Sequence, residues 1–138
     1  MQEHGLRGDL PPGKTYQSYI DPFTHLPVYS LYDGKTRAPT AAMLANVTTL
    51  VIDVQDVGAR CFTYISTMAE CLKSAKQNNK TIVVLDRINP IGGREDEVQG
   101  PVLNMNYTSF VGIWKIPLRH GYVVFFHNVL LFLQLTLH

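Results

Sequence analysis

Two short apolar runs, each ending abruptly in polar residues, organise this chain. Residues 50–52 (LVI) open onto Asp53, Gln55 and Asp56, and Gly58 breaks the chain before a helical pattern begins. The second run, TIVVL at 81–85, ends in Asp86, Arg87, Asn89 and Pro90. Apolar, β-branched runs of this length predict parallel strands buried on both faces. Between them, Met68, Ala69, Leu72 and Ala75 recur at helical spacing, with Lys73 and Lys76 outward and Asn78 and Asn79 as a stop. The order strand, helix, strand predicts a βαβ unit with a right-handed crossover, hence an α/β fold with a mostly parallel sheet. In open α/β sheets ligands sit outside the carboxyl ends of the strands, so two neighbouring strands ending in acids predict one shared crevice.

The flanks carry weaker patterns. Residues 7–27 hold Gly8, Pro11, Pro12, Gly13, Pro22 and Pro27, the signature of an irregular surface loop. Residues 28–32 (VYSLY) predict a short strand closed by Asp33 and Gly34, and Pro39 and Thr40 start a short helical pattern through Leu44. After Asp86 the segment NPIGGREDEVQGP is again loop-like, and its charge run Glu95, Asp96, Glu97 reads as solvated. The tail 122–137 is apolar apart from His127, Asn128, Gln134 and Thr136. As a helix it would span roughly 24 Å, short of the ~30 Å hydrocarbon core, and its last residues alternate as a strand does, so a membrane span is not expected.

Composition narrows the class. With 138 residues, the chain can hold one domain with a core. Its 46% hydrophobic and 17% charged residues are those of a globular protein, and a formal net charge of +1 offers no basic face for a phosphate backbone, so nucleic acid is not an expected partner. Two cysteines, Cys61 and Cys71, give no disulfide framework and are expected to be buried thiols. The first residues lack the basic and apolar regions of a signal peptide. Three sequons, at Asn46, Asn79 and Asn106, matter only in a glycosylating pathway.

Several chemistries find no motif. The glycines after Asn89 fit neither G-x-G-x-x-G nor a P-loop, no Ser sits in a G-x-S-x-G elbow, and neither cysteine lies in a nucleophile motif. His4, Asp53, Asp56, Asp86 and His120 have no zinc or calcium spacing, so neither metal nor cofactor is expected.

Six blocks in order, EHGLRGD (3–9), LPVYSLYDGKTRAPT (26–40), DVQDVGARCFTYISTM (53–68), VLDRINPIGG (84–93), VQGPVLN (98–104) and SFVGIWKIPLRHG (109–121), resemble the exo-β-N-acetylmuramidases of the NamZ type. The resemblance implies a Rossmann-like α/β domain, residues 1–121, paired in the family with a second domain across an active-site cleft. It implies release of N-acetylmuramic acid from the non-reducing end of peptidoglycan-derived muramyl glycans, by relatives expected to be secreted or periplasmic. The family's first strand and helix precede the EHG block, and a further domain follows the segment matched here by His120 and Gly121. The tail 122–138 looks unlike that continuation, Ile88 stands where the family usually has proline, and Cys61 replaces an aromatic. The expectation is a partial domain, silent alone, that self-associates or needs the family's missing domain. A non-catalytic, carbohydrate-binding remnant is the competing reading.

Glycosidases use two carboxyl groups, one protonated to donate to the leaving oxygen and one ionised. On the resemblance, Glu3 is the acid and Asp56 the second carboxylate. Read from the residues alone, Glu3 is equally a solvated terminal glutamate, and Asp53 and Asp56 equally cap the next turn or pair with Arg60 or Arg87. His4 follows Glu3 and, in extended chain, points to the other side, which suits loop support. Asp86 and Arg87 either pair with each other or meet substrate. Arg87 suits the lactyl carboxylate of muramic acid because a planar guanidinium binds it at two points, with Arg7 and Arg119 as rivals. Asn89 and His120 complete the expected substrate-binding set, His120 having a structural reading as well.

Overall fold

The computed structural model describes residues 4–11, 13–87, 89–92 and 94–120. Glu3, Ile88 and the apolar tail 122–138 lie outside the described residues. In chain order the elements are β1 (Tyr19–Ile20), β2 (Pro27–Val28), β3 (Thr49–Ile52), α1 (Tyr64–Gln77) and β4 (Thr81–Val84), followed by single 3-10 turns at Glu95–Glu97 and Met105–Tyr107. Contacts divide the chain into two compact units, one of residues up to 50 together with 70–82, the other of 51–69 together with residues from 83 onward.

The expected βαβ unit is present. β3 pairs with β4. The Thr81 N–H donates to the Thr48 carbonyl at 3.0 Å and the Leu85 N–H to the Ile52 carbonyl at 2.9 Å. Both partners advance together along the chain, so the strands are parallel. α1 stops where the two asparagines predict. Asn79 takes a left-handed φ of 53°. The Lys80 N–H then reaches the Ala75 carbonyl (2.8 Å) and the Asn79 N–H the Lys76 carbonyl (3.1 Å). These are the paired bonds of a Schellman cap, which satisfy carbonyls the helix end would leave bare.

Burial of the strands corrects the sequence-based expectation. β3 and β4 both alternate exposed and half-buried positions rather than being covered on two faces. Val51, Val83 and Leu85 face outward, while Ile52 and Val84 face a cavity shared with Ile65 and Met68 of α1. A run in which every residue is apolar carries no mark of which face is covered, so alternation was invisible in the letters.

In the first unit, Leu31, Leu44, Cys71 and Ala75 are buried. The loop expected over 7–27 contains β1, which forms an antiparallel hairpin with β2 in the register Tyr19 to Val28 and Ile20 to Pro27. Only Val28 of the expected 28–32 strand is in β2. Asp21 fixes the hairpin's turn. Its buried carboxylate accepts from the Thr24 hydroxyl (2.8 Å), the Thr24 N–H (2.9 Å) and Arg7 (2.7 Å). Those bonds, the Thr24 hydroxyl's first, lower its pKa below the usual 3.8 against the opposing effect of burial. The pattern expected after Thr40 yields a turn in which the Leu44 N–H reaches the Thr40 carbonyl at 3.1 Å, not a helix. Ser74 of α1 donates its hydroxyl to the Pro39 carbonyl, holding that turn to the helix.

In the second unit, Ile65, Met68, Ala69, Trp114 and Ile116 are buried. Arg60 ties its segments together. The guanidinium donates to the carbonyls of Ile116 (2.6 Å) and Pro101 (3.0 Å), and the Arg60 N–H donates to Leu118 (2.9 Å). The cysteines divide. Cys71 is buried, its thiol pKa pushed up to about 11 by desolvation, whereas Cys61 is exposed. Apolar character favours burial of either, but Cys61 precedes the first turn of α1 and lies on an open loop.

Candidate functional site

Past Ile52 the chain leaves the sheet, and its polar residues crowd the strand end. Gly58 has φ 75°, a conformation that side-chain-bearing residues rarely take, and it lets the loop double back. The Gly58 N–H donates to Asp56 Oδ2 at 2.9 Å, and the Gly58 carbonyl accepts the His120 N–H at 2.8 Å. The Gln55 side-chain amide donates to the Asp56 carbonyl at 2.7 Å. Asp56 is thus held by one carboxylate oxygen, while the other, Oδ1, is buried with no hydrogen-bond partner.

The second strand end supplies the complement. Asn89 is 3% exposed; its Oδ1 accepts the Ile91 N–H at 3.2 Å, and its carbonyl accepts the Gly92 N–H at 3.0 Å, so the loop is closed on itself. Asn89 Nδ2 is buried and has no hydrogen-bond acceptor. Asp56 and Asn89 line one pocket of about 40 Å³, whose walls include Ile52, Ile65, Met68 and Val84. A single water needs roughly 10–15 Å³ of such space, so the pocket admits something larger.

Charges stand around it. Asp86 accepts the Arg87 N–H at 2.9 Å, and the Arg87 guanidinium pairs with Asp53 at 2.8 Å, both side chains being more than half exposed. Asp86 and Arg87 line the pocket together with Gln55 and Tyr64. His120 is 1% exposed, with Nε2 3.8 Å from Asp56 Oδ2. Burial lowers its pKa below 6.5, the Asp56 carboxylate works against that, and Arg60 adds to it. The imidazole is therefore neutral near pH 7. Arg119 exchanges backbone bonds with Gln99 (3.2 and 2.9 Å) and donates its guanidinium to the Ile91 carbonyl, fixing the loop that carries Asn89.

Of the residues expected from sequence, the structure brings Asp53, Asp56, Asp86, Arg87, Asn89, Arg119 and His120 together in the second unit. His4 and Arg7 belong to the first unit. His4 Nδ1 donates to the Leu10 carbonyl at 3.0 Å, and the Leu10 N–H returns to the His4 carbonyl at 3.1 Å, the loop-supporting role its position suggested. Arg7 pairs with Asp21 at 2.7 Å and stacks 4.7 Å from the centre of the Phe23 ring. Tyr64 is a part of the site that sequence reasoning did not name, and Gln55 and Gly58 were named only as a strand-end polar residue and a chain break. For Gly58, its place directly after a strand end and two acids was the available signal. Among the described residues, no group of three His, Cys, Asp or Glu side chains could hold a metal ion, and no helix is long and apolar enough to cross a membrane.

This geometry is that of a small pocket at a parallel strand edge, lined by Asp56 and Asn89, with apolar walls and the Arg87–Asp53 ion pair beside it. Peptidoglycan β-N-acetylmuramidase NamZ of Bacillus subtilis (strain 168) is 52% identical over 122 residues, which are 88% of this chain and 29% of that protein. The crystal structure of a DUF1343 family protein from Bacteroides fragilis NCTC 9343 matches 86% of this chain with a TM-score of 0.72 at 50% identity, and a second such protein from the same organism matches 74% with a TM-score of 0.64 at 37% identity. This chain covers 28% and 26% of those two chains, and so spans less than a third of each relative. Residues 1–124 match the family model for the N-terminal part of exo-β-N-acetylmuramidase NamZ, and the chain belongs to that family.

Proposed function

We propose that this chain forms the sugar-facing, Rossmann-like part of a glycoside hydrolase that releases N-acetylmuramic acid from the non-reducing end of peptidoglycan fragments. The observation that carries the reading is Asp56: a carboxylate at a parallel strand end that lines the pocket, fixed through one oxygen by the Gly58 N–H, with the other oxygen buried and without a hydrogen-bond partner. An unpaired buried acceptor is costly unless a partner arrives, so the site is built for one. Residues 1–121 make up this part.

In this reading Glu3 is the general acid and Asp56 the second carboxylate facing the sugar. Arg87, held at the rim by Asp53, keeps guanidinium N–H groups for the lactyl carboxylate that distinguishes muramic acid from glucosamine. The Gly58 N–H keeps Asp56 in place, and the His120 N–H holds Gly58 through its carbonyl. Arg119 keeps Asn89 in place through the Ile91 carbonyl.

The test is a chimera in which residues 1–120 replace the matching segment of the Bacillus subtilis relative. Release of N-acetylmuramic acid from a chromogenic glycoside is expected, and Glu3→Gln should lower it by ~10²- to 10⁴-fold, the usual contribution of general acid catalysis. A folded chimera that binds muramyl glycans without hydrolysing them would leave a carbohydrate-binding module instead.

A further inference from the structure

Gly58 is tied to two titratable residues at once. Its N–H donates to Asp56 Oδ2 at 2.9 Å, and its carbonyl accepts the His120 N–H at 2.8 Å. The His120 ring comes back toward the same carboxylate oxygen, with Nε2 3.8 Å from Asp56 Oδ2. That is about 1 Å beyond a charge-assisted hydrogen bond, so the loop from Asp56 through Gly58 to His120 is one short step from closing. Asp56 has cause to take a second donor, because its Oδ1 is buried without a hydrogen-bond partner. The His120 side chain is 1% exposed and that of Asp56 24%, so water reaches the pair from the carboxylate side. The charged groups acting on the ring are Asp56, from the loop after β3, and Arg60, from the segment before α1. Arg119, next to it in the chain, gives its guanidinium to the Ile91 carbonyl. Burial holds the ring neutral near pH 7 and Arg60 adds to that, while Asp56 favours the proton.

We propose that the His120 ring is a proton-operated clamp on Asp56: neutral, it leaves the carboxylate charged beside the Gly58 N–H, and protonated, it closes onto Oδ2 and cancels that charge. The proton comes from water and adds to whichever ring nitrogen is bare, so that both carry N–H and no other covalent bond changes. Because Asp56 and His120 both hang from the peptide groups of Gly58, the closure asks only for side-chain movement. The imidazolium is compensated by Asp56, which makes a charge on so buried a ring tolerable. His120 is thus a positioning residue that acts through Asp56, and the strand end carries a free carboxylate charge only while the ring is neutral. The clamp goes beyond the muramidase reading, and it stands or falls whatever ligand the strand end takes.

The experiment is an NMR titration of the 138-residue chain from pH 8 to pH 4, following the ring signals of its five histidines and the Gly58 N–H. His120 is assigned as the signal missing from His120→Gln, or through the backbone if that variant does not fold. The Gly58 N–H is expected to shift with the same midpoint as the His120 ring, because the clamp changes what its acceptor oxygen holds. Asp56→Asn removes the carboxylate that favours the proton and should lower the His120 midpoint by about one pH unit. It should also abolish the matching step at Gly58. The fold of each variant is checked through the near-ultraviolet signal of buried Trp114. If Asp56→Asn does not fold, the match between Gly58 and His120 in the unchanged chain decides alone. A Gly58 N–H that ignores the His120 titration, or a His120 midpoint unmoved by Asp56→Asn, would overturn the clamp and leave the muramidase reading untouched.

Discussion

Gly58 and Asn89 share one space: a Cβ on Gly58 would stand 2.4 Å from Asn89 Nδ2 and 2.6 Å from its Oδ1. The glycine is therefore required twice, by its φ of 75° and by the amide against it. Gly58→Ala is expected to destabilise the fold by about 1–2 kcal/mol from the backbone alone. It should also displace the Asn89 side chain and loosen the loop that it closes through the Ile91 N–H. Denaturant melts and amide hydrogen exchange at Ile91 on the same samples separate the two effects.

Arg87 and Asp53 form an exposed pair, so its value lies in aim more than in stability. Asp53→Asn should change unfolding free energy by less than about 1 kcal/mol. Arg87→Lys keeps the charge but loses the planar fork, and should weaken N-acetylmuramic acid more than N-acetylglucosamine. Equal weakening of the two sugars, measured by calorimetry, would mean that Arg87 serves only its partner Asp53.

Arg60 is a structural tie. Its guanidinium bonds to the Ile116 and Pro101 carbonyls are charge-assisted, and Arg60→Ala should cost about 2 kcal/mol, with Arg60→Lys recovering only part because an ammonium cannot copy the fork. Chemical denaturation reads both.

Stability should fall on acidification in two separate windows. The native pKa of His120 lies below 6.5, so the unfolded chain binds the proton more readily, and the stability gained by keeping the ring neutral is complete above about 6.5 and is lost as pH falls toward the native value. Asp21 and Asp33 are lowered from 3.8, Asp33 chiefly by the Lys35 N–H, so their contribution is kept above that value and lost below it. A melting series from pH 8 to pH 3 should show both steps, and His120→Gln should remove the upper one alone.

How much of this was legible in the letters depends on range. The strands at 50–52 and 81–85 and the stop at Asn79 are local signals, and all three are where the sequence places them. The covered face of each strand was not legible, because Leu50, Val51 and Ile52 are equally apolar. Asp56 and Asn89 could be read as strand-end polar groups, but their junction at Gly58, and the place of His120 against Gly58 and Asp56, depend on contacts between residues far apart in the chain. Arg7 and Arg119 illustrate the same limit. Each has the right chemistry for a carboxylate, and each places its guanidinium on a protein oxygen, Asp21 Oδ1 and the Ile91 carbonyl respectively.

The two cysteines report on the fold separately. Cys61, exposed, should react readily with a thiol reagent, while Cys71, buried and with its pKa pushed up to about 11, should react only when the helix region opens. One fast and one slow equivalent are expected, merging into two fast ones in denaturant.

The junction at Gly58 also sets an order of events during folding. It is tied to Asp56 nearby, to Asn89 beyond the helix and second strand, and to His120 near the end of the described chain. The helix needs only local bonds and can form within microseconds, but this junction must wait for distant segments to meet, with the loop-closure entropy that entails. The strand-end pocket is therefore among the last features to mature, and a newly made chain acquires its helix before that pocket takes shape.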